Sequence, residues 1–241
     1  MDNMFLIGAD PELFIKSIYT NENVSAHDLI PGTKYEPFFV DGGAIQVDGT
    51  AAEFNINPSA SKSEFLGNMS KVLDNLYERI EGNFDTVLKI DFSPTAIYEP
   101  EYFDSLPPEV KILGCEPDFN AYTKEQNLPP STTEPFRTAG GHVHCGWGHG
   151  FDIYDPEYLE TCRDLVKQLD VLLYSASLCW DNDTRRRELY GAKGAFRPKP
   201  YGLEYRSLSN KWVETRERQE YVYDTSIRAM DLLFNKKIKL F

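Results

Sequence analysis

Residues 140–146 read Gly-Gly-His-Val-His-Cys-Gly, a histidine pair at i, i+2 held between glycines, and the rest of the chain is interpreted outward from it. On a β-strand, residues two apart project from one face, so His142 and His144 look one way while Val143 and Cys145 look the other. The same spacing recurs at Asp10 and Glu12, and again at Glu204 and Arg206. Three such pairs imply a sheet that packs one face against helices and lines the other with groups suited to metal ions or anions. Glu53 and Asn55 join the polar face, and Phe54 joins Val143 and Tyr205 on the packed face.

The flanking segments supply the remaining elements. Residues 4–16 predict a strand broken or bent between Gly8 and Pro11, because proline donates nothing to a ladder. Asp41-Gly42-Gly43 marks a hairpin turn within residues 38–47, which leads to a strand at 51–56. Ser61-Lys62-Ser63-Glu64 is a capping box, and Phe65, Leu66, Met69, Val72, Leu73, Leu76, Tyr77 and Ile80 then repeat at helical spacing up to Gly82. Further strands are expected near 87–92, 111–115, 119–122 and 202–208, loops over 126–137 and 183–200, and helices over 155–179 and 214–234. Hairpin signals beside long helices predict an α+β fold, a mostly antiparallel sheet with helices on one face, in a single domain over 1–241.

Composition narrows the function. The chain has 38 acidic and 25 basic residues, a net charge of -13, which repels a nucleic-acid backbone and suits divalent cations. No apolar run reaches membrane-spanning length, and the one at residues 4–8 is too short for a signal peptide, so a cytoplasmic location is expected. The four cysteines, Cys115, Cys145, Cys162 and Cys179, form no CxxC pair, which points away from a disulfide framework or zinc knuckle. Neither a P-loop, a GxGxxG turn nor a GxSxG elbow occurs.

Asp10, Glu12, Glu53 and Glu204 directed into one cavity would repel one another and lose hydration, and magnesium answers both problems. Arg185, Arg186, Arg187, Arg197 and Arg206 form a basic cluster in this acidic protein, and guanidinium groups grip phosphate or carboxylate oxygens in pairs. Arg206 shares a strand face with Glu204. Loops over 118–137 and 146–154 are the expected source of a substrate pocket, with Gln126, Arg137 and Trp147 as its candidates.

In order, Gly8-Ala9-Asp10-Pro11-Glu12, Glu53-Phe54-Asn55, Gly140-Gly141-His142-Val143-His144, residues 190–197 (YGAKGAFR) and Gly202-Leu203-Glu204-Tyr205-Arg206 resemble the glutamine synthetase and glutamate-cysteine ligase superfamily. The likeness is greatest to the carboxylate-amine ligases, or amidoligases, of bacteriophages, and it spans residues 5–210. The resemblance implies a curved, mostly antiparallel sheet with helices on its convex face and an open concave face that binds ATP and about two or three magnesium ions, with manganese as an alternative. It implies metal ligation by Asp10, Glu12, Glu53, His142 and Glu204, and contact with nucleotide or phosphoryl oxygens by His144, Arg187, Arg197 and Arg206. Arg197, Arg206 and Glu53 would then carry the catalysis. Asp at position 10 and Pro at 11 depart from the Glu-x-Glu pattern, and the chain is short for a glutamine synthetase.

The implied partners are a small-molecule or peptide carboxylate and an amine, with no nucleic acid or membrane. The implied location is the host cytoplasm if the chain is phage-encoded. Two other readings use the same residues: a metal-dependent hydrolase in which the histidines and carboxylates activate water, and a catalytically inactive binding protein of the same fold.

Overall fold

The computed structural model describes residues 5–82, 87–111, 118–127 and 134–241. Its strands are β1 (Leu6–Ser17), β2 (Asn23–Val24), β3 (Phe38–Val40), β4 (Gly43–Asp48), β5 (Ala51–Ile56), β6 (Leu88–Asp91), β7 (Thr95–Ile97), β8 (Asp118–Asn120), β9 (Gln126–Asn127), β10 (Phe136–Thr138), β11 (Gly141–Gly146), β12 (Ala195–Lys199) and β13 (Gly202–Tyr205). Its helices are α1 (Lys62–Ile80), α2 (Pro100–Ser105), α3 (Pro108–Lys111), α4 (Pro156–Leu169), α5 (Ser175–Ser177), α6 (Thr184–Leu189) and α7 (Arg216–Met230). Among the described residues one sheet runs β3-β4-β5-β1-β11-β13-β12-β8-β9, with β2 and β6 also paired to β1. Every pairing between these strands is antiparallel, so the fold is α+β around a large open antiparallel sheet.

Alternation divides the sheet as the sequence pattern predicts. Ile7, Ala9, Leu13 and Ile15 of β1, Phe54, Val143, Cys145, Phe196, Leu203 and Tyr205 are buried in one core with the apolar stripes of α1, α4 and α7. Each large apolar side chain buried there contributes about 1.5–3 kcal/mol, which fixes the register of every strand, since a slip of one residue would turn the apolar set to the wrong face. Ser61 caps α1 as expected, its Oγ accepting from the Glu64 N–H at 3.2 Å, while Glu64 Oε2 accepts from the N–H of Ala60, one residue before the cap, at 2.9 Å. On the opposite face a second, smaller apolar cluster of Phe14, Ala51, Ala96, Tyr98, Phe103 and Ala139 roofs one end. The rest of that face carries the polar residues.

Several segments differ from their sequence reading. Residues 6–17 form one continuous strand, not a broken one. The N–H of Ile7 points toward Ser59 on the β5 side, so Pro11, four residues on, also turns its nitrogen that way, where no ladder pair spans residues 8–11. The proline therefore breaks no bond. The stretch 183–200 is not a loop: it contains α6, capped by Asp183, and β12, whose Pro198 and basic residues obscured its alternation. Lys111 ends α3 rather than opening a strand, and the rest of that expected strand lies outside the described residues. β9 and β10 occupy the ends of the expected loop 126–137.

The helix expected over 155–179 forms as α4, a π-helical turn at Asp170–Tyr174, and α5. The turn places fully buried Asp170 against the sheet, where its Oδ1 accepts from the Tyr205 hydroxyl at 2.6 Å. Burial pushes the Asp170 carboxyl up to about 6, against relief from Tyr205 and Tyr122. A raised folded-state value means that the group favours folding while protonated and loses that contribution as pH climbs from about 4 through about 6. Asp170→Asn keeps the acceptor and removes the ionisation. Measured by urea unfolding at pH 4 and pH 7, the variant should gain on the order of 3 kcal/mol relative to wild type at the higher pH. An identical pH dependence for both proteins contradicts this assignment.

Candidate active site

The register sets three cross-strand rows on the polar face. Arg197 of β12, Glu204 of β13, His144 of β11 and Gly8 of β1 stand directly opposite one another in turn. Asp10 stands opposite His142. Gln46 of β4, Glu53 of β5 and Glu12 of β1 form the third row. Directly opposed Cβ atoms lie about 4.5–5.5 Å apart, so each row brings its functional groups together without help from any loop.

Two hollows open along these rows. The smaller, about 180 Å³, is walled by Asp10, Glu12, Asp48, Glu53 and Glu204, by His142 and Tyr190, and by Lys34, Arg197, Lys199 and Arg206. The larger, about 640 Å³, is walled mainly by apolar groups such as Leu6, Ile56, Pro58, Trp147 and Tyr201, and it also takes in His144 and His149. They meet at Asp10 and Glu53.

At one end of the acidic hollow, cationic side chains balance the charge. Glu204 is 1 % exposed and is bracketed by Lys199 Nζ at 2.8 Å, Arg197 Nη1 at 3.2 Å and the guanidinium of Arg206. Arg206 also donates to Asp118 Oδ2 at 3.1 Å and lies over the Tyr190 ring. His144 Nε2 is 3.0 Å from Asp10 Oδ1. Burial alone would raise the Asp10 carboxyl, but His144 and His142 hold it well below the usual range. His142 Nδ1 is 3.5 Å from Asp10 and 3.6 Å from Glu204, while burial and then Arg206 push its imidazole down to about 4.

The other end is different. Burial and then Asp48 push Glu12 up to about 7, although Glu12 Oε2 accepts from the Gly140 N–H at 2.8 Å. Burial, then Asp10, Asp48 and Glu12, hold Glu53 well above the ordinary range, and burial raises Asp48 as well. Crowded carboxyls of this kind keep protons unless a cation replaces them. That behaviour, and a donor set of carboxylate oxygens with one or two imidazoles, fits magnesium or manganese and not a thiolate-rich zinc site. Asp10, His144 and Glu204 present ligand atoms within 4.8 Å of one another.

The structure thus brings together eight of the residues read from sequence: Asp10, Glu12, Glu53, His142, His144, Arg197, Glu204 and Arg206. His144 belongs to that donor group, and His142 stands beside it with Nε2 facing Gly140, where a Cβ would come within 2.3 Å. Arg187 lies elsewhere, paired with Asp181 at 3.2 Å. Arg185 stacks on Phe136, and Arg137 gives its N–H groups to the carbonyls of Lys111, Glu134 and Phe136. Trp147 lines the larger hollow, whereas Gln126 sits exposed on the edge strand β9. Sequence reasoning missed Asp48, Lys199, Lys34, Tyr190 and Tyr201. Lys199 is two residues from Arg197 and Asp48 is two from Gln46, so the spacing rule finds both once their strands are recognised.

Arg186 belongs to the scaffold. It is fully buried and donates to the carbonyls of Ala139, Ser207 and Leu208 at 2.8, 3.1 and 2.7 Å, tying β13 and its following residues to the entry of β11. A scan against protein-family models matches none of them for this chain, and a search of the curated proteins gives no match. Arg186→Met should cost about 3 kcal/mol or more in chemical denaturation, because buried carbonyls lose their donor, while Arg185→Ala should stay within about 0.5 kcal/mol of wild type. Equal losses in the two variants would overturn this division of roles.

Proposed function

We propose that this protein is an ATP-dependent carboxylate-amine ligase with a sheet of the glutamine synthetase type, joining an acid to an amine as an amide. The observation that carries the reading is the acidic hollow, in which five carboxylates are interleaved with Arg197, Lys199 and Arg206 beside a larger, mainly apolar hollow. Carboxylates alone would suit many metal sites. Carboxylates interleaved with guanidinium groups, that of Arg206 buried, suit a polyphosphate bound together with its cations.

In this reading Asp10, His144 and Glu204 would hold one magnesium ion, and Glu12 and Glu53 would hold another. The bound ions supply neutralisation of charge on the phosphate oxygens. The chain's own groups do the rest. Arg197 and Arg206 leave part of their grip on Glu204 to hold the transferring phosphoryl group while the substrate carboxylate displaces ADP. The amine nitrogen then attacks the acyl carbon, the C–O bond to phosphate breaks, inorganic phosphate leaves, and the nitrogen gives its extra proton to solvent, which leaves the amide. Tyr190, packed against both His142 and Arg206, walls this step off, and the larger hollow has the volume for a nucleotide base and sugar or for a substrate's apolar part.

Incubation with magnesium, ATP and pooled acids and amines should release ADP only when an acid is present, with the amide found by mass spectrometry. Arg197→Ala and Glu204→Ala should each slow turnover about 10²- to 10³-fold, and Arg187→Ala, outside the hollow, should leave it within a few fold. Hydrolysis of a substrate without ATP would favour the hydrolase reading instead. Full activity of Arg197→Ala would remove that residue from the mechanism.

A further inference from the structure

Tyr201 occupies the turn between β12 and β13, and its carbonyl accepts from the N–H groups of Trp147 at 3.0 Å and Gly148 at 3.4 Å. The residue is 37 % exposed and walls the larger hollow. Its hydroxyl reaches in the other direction and meets His144 Nδ1 at 2.5 Å. The opposite nitrogen of that imidazole, Nε2, faces Asp10 Oδ1 at 3.0 Å. A phenol, an imidazole and a carboxylate therefore form a chain from the larger hollow into the donor group of Asp10, His144 and Glu204. Strand register secures its inner end, because Gly8 and Asp10 are paired with His144 and His142. Two main-chain hydrogen bonds secure its outer end.

We infer that Tyr201 is a positioning residue of the proposed cation site, whose hydroxyl holds the His144 ring with Nε2 turned toward Asp10 and Glu204. The inference rests on the cation reading of the site and not on nucleotide chemistry. A hydroxyl suits this place because it both donates and accepts. Without a cation, the phenol O–H donates to Nδ1, and the Nε2–H donates to Asp10. A cation on Nε2 requires that nitrogen to present its lone pair, so the single imidazole proton must sit on Nδ1 and be accepted by the phenol oxygen. In the neutral imidazole the proton changes nitrogen by exchange with solvent. Burial, Glu204 and Asp10 push ionisation of the phenol upward, which keeps its O–H in place. Phenylalanine would fill the same space and serve neither tautomer.

The test uses the full chain, labelled with ¹⁵N and titrated with Mg²⁺ alone at a pH where its own ¹⁵N shifts show a neutral His144, because, against burial, Asp10 and Glu204 hold that imidazole above its ordinary range. Long-range ¹H–¹⁵N correlations report which nitrogen of His144 carries the proton. Wild type should show the Nε2–H tautomer without Mg²⁺ and the Nδ1–H tautomer at saturation. Tyr201→Phe should show mixed tautomers without Mg²⁺ and bind it about 10- to 100-fold more weakly, with an unchanged thermal midpoint. A Tyr201→Phe protein that matches wild type in His144 shifts and in Mg²⁺ affinity overturns the inference. If wild type fails to bind Mg²⁺, the cation site itself is overturned, and the comparison of tautomers in the cation-free proteins still decides whether Tyr201 holds His144. Failure of the ligase reading would show instead as absent ADP release and would leave these spectra unchanged.

Discussion

Asp10, Glu12, Asp48, Glu53 and Glu204 enter one hollow from four strands, and carboxylates that close together lose hydration and repel one another. The remainder of the structure answers that constraint. At the β13 end Lys199, Arg197 and Arg206 surround Glu204, and two imidazoles face Asp10. At the β5 end burial pushes the carboxyls of Glu12, Glu53 and Asp48 up, Asp48 adds to the rise at Glu12, and Asp10 adds to it at Glu53 and Asp48. That crowding is what the proposed cations would relieve.

Holding such a site together requires a rigid sheet. The helix-packed face supplies rigidity through the continuous core under α1, α4 and α7, and β13 is fastened on both sides. Tyr205 points away from the hollow to meet Asp170 in the π-helical turn, while its neighbours Glu204 and Arg206 point into it. Arg186 holds the carbonyls that follow β13. Among the described residues no helix is long and apolar enough to cross a membrane, and the long helices are instead spent on backing the sheet.

Much of this was legible in the chain because a strand's period of two converts spacing directly into direction. Asp10 and Glu12, His142 and His144, Glu204 and Arg206 share the polar face as their spacing requires, and Phe54, Val143, Cys145 and Tyr205 share the packed one. Some of the failures come from local chemistry that disguised an element, and the others from partners that only the tertiary fold supplies. Pro198 and the surrounding basic residues hid β12, and with it the pairing of Arg197 with Lys199. The arginines at 185–187 looked alike in sequence, yet one is buried among carbonyls, one stacks on an aromatic ring and one pairs with Asp181. Nothing in their spacing distinguishes those fates, because each depends on partners brought in by the tertiary fold. Tyr201 was invisible for the same reason, since its partner His144 lies on a different strand.

The proposed function requires shared cations at the meeting point of the two hollows. Anomalous diffraction from crystals grown with Mn²⁺ tests this most directly. The account predicts a peak bounded by Asp10, His144 and Glu204, with a second toward Glu12 and Glu53. Manganese found only on outer acidic surfaces, with no density in the hollow, would contradict it.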